Sequence, residues 1–169
     1  DRGCKADAGI MTEPTANRSS PICHGILWAR IILDGIGGHA ELTPNSWDSS
    51  GPVDAVMLCR QMLDGLDVLN RRWQTQPDKN HPLMEMPNQI IVTQLKVGEH
   101  PASIAGRAAI VIDVQYLPAE KAEMGLGGKV KRDTEEHVAT VCALDPSLAK
   151  HPATVEWTLA AVCAEIHAD

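Results

Sequence analysis

Between Pro52 and Pro77 the apolar residues recur at three- and four-residue steps: Ala55, Leu58, Cys59, Met62, Leu66, Leu69 and Trp73. At 3.6 residues per turn they fall on a single stripe. A helix built this way must bury the stripe against another layer, and no other feature of the sequence constrains the fold as much. Pro52 suits the first turn of such a helix, and the helix should stop before Pro77.

The other layer obeys a different period. From Gly106 to Leu117 the residues Ala108, Ile110, Ile112, Val114 and Tyr116 alternate onto one face, as in a half-buried strand. Ile22 to Leu33 alternates likewise, with Leu27, Ala29, Ile31 and Leu33 on one side. Asn88 to Val97 reads as a further strand, joined to the Gly106 strand by a hairpin-like connection over Gly98 to Ser103. A second helix is expected from about Lys129 to Leu144. Its stripe is Val130, Thr134, Val138 and Val141, and Asp145-Pro146 ends it. Thr154 to Trp157 forms a last short strand. The order over residues 22–157 is therefore β-α-β-β-α-β. Two βαβ-like halves of this kind fold as an α+β, ferredoxin-like sandwich: a four-stranded antiparallel sheet with two helices on one face. Ala6 to Met11 reads as a separate short strand stopped at Pro14. Residues 1–20 and 158–169 find no place in the unit. The expected organisation is a remnant of another domain (1–20), a central domain (21–157) and a return segment (158–169), as in a domain excised from a host.

Composition excludes several classes. The 169 residues carry a formal net charge of −7 and no Lys/Arg run, so no nucleic-acid partner is expected. No apolar run approaches the roughly 20 residues of a membrane helix, and no export leader is visible, so a cytoplasmic location is expected. Five widely spaced cysteines (Cys4, Cys23, Cys59, Cys142 and Cys163) contain no CxxC and read as reduced thiols. Cys59 and Cys142 sit in helical stripes as small core residues.

Several ordered segments resemble the M20 family of amidohydrolases and peptidases. They are Arg2 to Ala8 leading to Glu13-Pro14-Thr15, His24 to Ala29 with Gly35-Ile36-Gly37-Gly38-His39, Asp113 to Pro118, and Pro152 with Val155-Glu156-Trp157. The family includes acetylornithine deacetylase, succinyl-diaminopimelate desuccinylase, aminoacylase and carboxypeptidase G relatives. The resemblance implies a two-domain subunit. A larger catalytic domain binds two zinc ions, and a dimerisation or lid domain inserted in it pairs with its copy to give a homodimer. The substrates would be N-acyl amino acids or peptides, cleaved at an amide bond. The family's His-x-Asp strand, bridging Asp and Glu-Glu pair do not occur in this sequence, and His167 lies in no context resembling the late His ligand. The fragment alone is therefore expected to be inactive and to bind no zinc, since a metal-bound water could not be generated.

The resemblance also implies roles for single residues. Glu13 would ligate one metal in the parent protein. His39 would reach into the partner subunit's site and donate to the oxyanion formed when the amide carbonyl is attacked. Asn88, at the start of the third strand, and Gly98, in a turn, would contact substrate. Gly98 follows Val97 where the family has a second Gly. Gln115 stands where many relatives carry an Arg that pairs with a substrate carboxylate, and Gln supplies no such charge. His137, after Glu135-Glu136, reads as part of a solvated helix face. His24, His81, His100 and His151 carry no motif. Gly125 to Lys129 lacks the rest of a phosphate loop.

Two other readings compete with the lid-domain reading. One is a free-standing ferredoxin-like module that binds a small molecule or regulates a partner, since this fold hosts many functions. The other is an independent enzyme using Cys23 and His24. Adjacent residues on a strand point to opposite faces, which disfavours that pair as nucleophile and base.

Overall fold

The computed structural model describes residues 20–42, 51–120, 126–161 and 164–165. The expected strand over Ala6 to Met11, together with Glu13, Gly125 and His167, lies outside them.

In chain order the elements are β1 (Ile22–Cys23), β2 (Gly25–Asp34), β3 (Gly38–His39), α1 (Ala55–Thr75), β4 (Ile90–Val97), β5 (Ser103–Ile104), β6 (Arg107–Tyr116), α2 (Gly128–Leu144), α3 (Pro146–Lys150), β7 (Thr154–Ala161) and β8 (Ala164–Glu165). Four strands form one antiparallel sheet in the order β4-β6-β2-β7. This is the ferredoxin-like arrangement that the β-α-β-β-α-β pattern predicts.

The core is the interface between α1 and one sheet face. Every residue of the predicted stripe, from Ala55 to Trp73, is buried. Opposite them lie Leu27, Ala29, Ile31 and Leu33 of β2 with Ala108, Ile110, Ile112, Val114 and Tyr116 of β6, all at most 1% exposed. Each large side chain so buried contributes about 1.5–3 kcal/mol. Cys59 and Cys142 are buried free thiols, and burial pushes the Cys59 thiol pKa up.

Several boundaries differ from the sequence reading. α1 begins at Ala55, where Asp54 caps it by accepting the Val56 N–H at 2.9 Å. Pro52 precedes the helix, beside a bridge that pairs Val53 with Ile36. β4 starts at Ile90, so Asn88 stands before the strand. The last strand does not stop at Trp157. It runs to Ala161 along β2, through a bulge at Trp28/Ala29, and β8 then pairs with β1. Asp145-Pro146 ends α2 and also starts α3, since the Asp145 carboxylate accepts the N–H groups of Ser147 and Leu148. His137 does not belong to a solvated face. Its Nε2 lies 2.8 Å from the Gly65 carbonyl oxygen, in the contact between α1 and α2.

Tyr116 locks one end of the sheet. Its ring covers Gly25, the residue opposite it in the β2/β6 register, and its hydroxyl donates to the Ala161 carbonyl at 2.8 Å. A Cβ on Gly25 would lie 2.0 Å from the ring. Gly25→Ala should therefore displace the ring and cost about 1–3 kcal/mol in urea unfolding. An unchanged midpoint would show that the ring has room to move.

Candidate functional site

At the other end of β6 the chain brings two predicted site residues together. After β2 it turns through Gly35 to Gly37. The Gly35 N–H donates to the Gly106 carbonyl, and Ile36 and Val53 exchange N–H···O bonds, each at 2.9 Å. Backbone meets backbone here: a Cβ on Gly106 would lie 2.8 Å from the Gly37 nitrogen. The turn delivers β3 to β5, with Gly38 opposite Ile104 and His39 opposite Ser103. The hairpin carrying Ser103 turns at Gly98, whose φ of 71° favours glycine. His39 and the Gly98–Ser103 hairpin thus form one projecting unit.

The His39 side chain is 62% exposed. Its Nδ1 accepts the Glu41 N–H at 3.3 Å, and Glu41 Oε2 is 3.7 Å away. With Nδ1 acting as acceptor, the neutral ring carries its proton on Nε2. Among the described residues Nε2 has no partner. The arrangement therefore presents an N–H donor outward at the tip of a pinned turn.

Asn88 lies elsewhere, with the residues that follow the far end of β6. It is fully buried beside two buried charges, Lys79 and Glu120. Lys79 Nζ pairs with one Glu120 oxygen, and the Asn88 amide donates to the other. The second oxygen also accepts the Leu117 N–H at 2.9 Å. Lys79 further faces Asp133 Oδ2 at 3.5 Å and stacks over Trp73 at 4.4 Å from the ring centroid. The Asn88 N–H donates to the Lys79 carbonyl at 2.9 Å. Asn88 Oδ1 and His24 Nε2 are buried without partners among the described residues. The structure thus sets His39 against Ser103, on the hairpin that turns at Gly98, and separates this hairpin from Asn88 by the length of β6.

Sequence reasoning missed Lys79 and Glu120, which sit 41 residues apart. No local signal marks such a pair, and Asp78-Lys79-Asn80 reads as an ordinary polar loop. Gln115 lies beside Gln89, whose Nε2 is 3.4 Å from the Gln115 Oε1. Among the described residues no three His, Cys, Asp or Glu side chains converge as a metal site would require. They do not fit a zinc centre. Among the same residues no helix is long and apolar enough to cross a membrane.

With this geometry in view, comparison with known proteins narrows the fold. No model of a known protein family matches the sequence. A curated relative, the N-formyl-4-amino-5-aminomethyl-2-methylpyrimidine deformylase of Halalkalibacterium halodurans, is 30% identical over 104 residues, which is 61% of this chain and 23% of the relative. A hydantoinase/carbamoylase family amidase from Burkholderia ambifaria superposes with a TM-score of 0.58 at 15% identity, over 84% of this chain and 29% of that one. A putative amidohydrolase/peptidase from Burkholderia cenocepacia gives 0.53 at 18% identity, over 83% and 29%. The chain thus shares the fold of one part of these amidohydrolases and amidases. It spans less than a third of each of these proteins, so the fold here is one portion of their architecture.

Two predictions concern the buried cluster. Glu120→Gln leaves the Lys79 charge only Asp133, 3.5 Å away, and should cost about 3–5 kcal/mol, whereas replacing Lys79 by Met and Glu120 by Leu together should cost less than the two single changes summed. Additive losses in urea unfolding would contradict a coupled pair. The second concerns pH. Burial pulls the His24 pKa below its ordinary 6.5, and nearby Glu120 only partly opposes this. The folded chain therefore holds His24 neutral where the unfolded chain takes up a proton. Stability should fall as pH drops below 6.5 toward the lowered folded value. His24→Gln should flatten that decline, and an identical pH slope in the variant would refute the assignment.

Proposed function

We propose that this chain is the dimerisation and lid domain of a zinc-dependent amidohydrolase, and that it pairs with a second copy through β4. One observation carries this reading. β4 is a sheet edge whose residues are exposed on both faces, and it presents Ile91 (41%), Val92 (38%) and Leu95 (52%) to solvent. Its register with β6 puts Val92 and Leu95 opposite the core residues Ile112 and Ile110, on the helix side, and Ile91 opposite Asp113, on the other side. Among the described residues no strand pairs with its outer N–H and C=O groups, although the Ile90 N–H donates to Asn70 Oδ1 at 3.0 Å, and it has apolar flanks on both faces. Natural edges are usually blunted by charge, proline or cover, and here Lys96 is the only charged residue of the strand. A two-fold axis along β4 would join two sheets and bury those residues.

Amide hydrolysis follows from the relatives rather than from residues of this chain. Removing a formyl group from an amine, as the deformylase's name states, is hydrolysis of an amide. The parent protein would act on an N-acylated small molecule or peptide, with zinc held by residues beyond the described ones and Glu13 among them. His39 would serve the partner's site, its Nε2–H donating to the oxyanion as the carbonyl is attacked.

Light scattering coupled to size exclusion tests the pairing. The chain should elute as a dimer that dissociates on dilution, and Val92→Lys with Leu95→Lys should leave a folded monomer. A monomer at every concentration, or a dimer indifferent to both lysines, would overturn the proposal.

A further inference from the structure

The sheet face away from the helices holds a trough of about 830 Å³, within the size range of small-ligand sites. Its shape follows from the register. One rung reads Arg30–Val111–Gln94 and the next Ile32–Ala109–Lys96 across β2, β6 and β4. The central strand contributes the short side chains Val111 and Ala109, and the outer strands contribute longer ones. The floor is thus low and apolar between raised walls. The hairpin at Gly98 and His100 closes one end.

The charge on those walls is unusual for this chain, whose net charge is −7. Arg30 and Lys96 stand diagonally across the trough. Strands two apart lie roughly 10 Å from one another, so both long side chains can bend over the same stretch of floor. Neither is firmly engaged. Arg30 reaches Glu156 only at 4.0 Å, with both side chains about half exposed, a contact of little energetic weight. Lys96 has no ion-pair partner among the described residues. Arg107 also lines the trough, but Asp34 holds it at 3.2 Å. Glu99 is the one acidic residue of the lining and lies on the closing hairpin.

The geometry points to a binding site for a small carboxylate with a short apolar body. The carboxylate is clamped between Arg30 and Lys96, and the body lies on Val111 and Ala109. Guanidinium and carboxylate match as two parallel hydrogen bonds, while the ammonium adds a compact second charge. This site does not depend on pairing through β4, because a monomer would keep the whole trough.

N-acetylglycine is a suitable probe, with N-acetylglycinamide as its uncharged counterpart. In an NMR titration of the intact chain, N-acetylglycine at millimolar concentrations should move the amide resonances of Arg30, Lys96, Gly98 and Ala109 saturably. The neutral amide should not. Arg30→Gln should weaken binding about tenfold. Lys96→Gln should weaken it as well, and both exposed variants should keep the parent spectrum elsewhere. Equal shifts from the amide, no saturable shift, or undiminished binding to both variants would overturn the site. Light scattering on the same samples reports the oligomeric state separately, so failure of this site and failure of the dimer are distinguishable.

Discussion

Burial of one face of β2 and β6 beneath α1 organises everything else in this domain. The period of two in the strands and of 3.6 in the helix meet in that interface, so a one-residue slip of either strand would expose its whole apolar set. Because β2 and β6 are the central strands, their register also fixes where the flanking strands end and where the connecting turns emerge. Gly25 beneath Tyr116 at one end, and Gly37 against Gly106 at the other, show how closely the ends are drawn in.

That one-sided burial leaves two surfaces open. The face away from the helices keeps a mixture of apolar and charged residues, with Arg30 and Lys96 flanking the short side chains of β6. Among the described residues no strand lies beyond the β4 edge, and Val92 and Leu95 remain exposed although they point to the helix side. Both surfaces result from covering a four-stranded sheet with two helices on one side. The functional readings lie on them: association along the edge, and ligand binding in the trough. The buried Lys79–Glu120 pair belongs to the scaffold. It ties the loop after α1 to the segment after β6, where an uncompensated charge would be costly.

The fold was legible because periodicity reports burial directly. All seven residues of the α1 stripe and all five of the β6 face are buried as their spacing predicts. Boundaries were less legible because local chemistry decides them. Asp54 rather than Pro52 starts α1, and β7 continues past Trp157 because β2 is long enough to pair with it. The site was only half legible. A Gly-rich turn before His39 and a glycine at position 98 mark flexible backbone, but their union depends on the β3/β5 pairing, which no local pattern encodes. Asn88 reads as a strand-start amide. Its partner Glu120 lies 32 residues away, so its burial is invisible until the chain is folded.

The central claim is that β4 is an interface. Hydrogen exchange measured over a series of protein concentrations tests it at the level of single amides. If copies pair along β4, the outward N–H groups between Ile91 and Val97 should gain protection as concentration rises, while those on the outer edge of β7 should not. Fast exchange along β4 at every concentration, with the core strands β2 and β6 fully protected, would show that the edge stays open and would contradict the account.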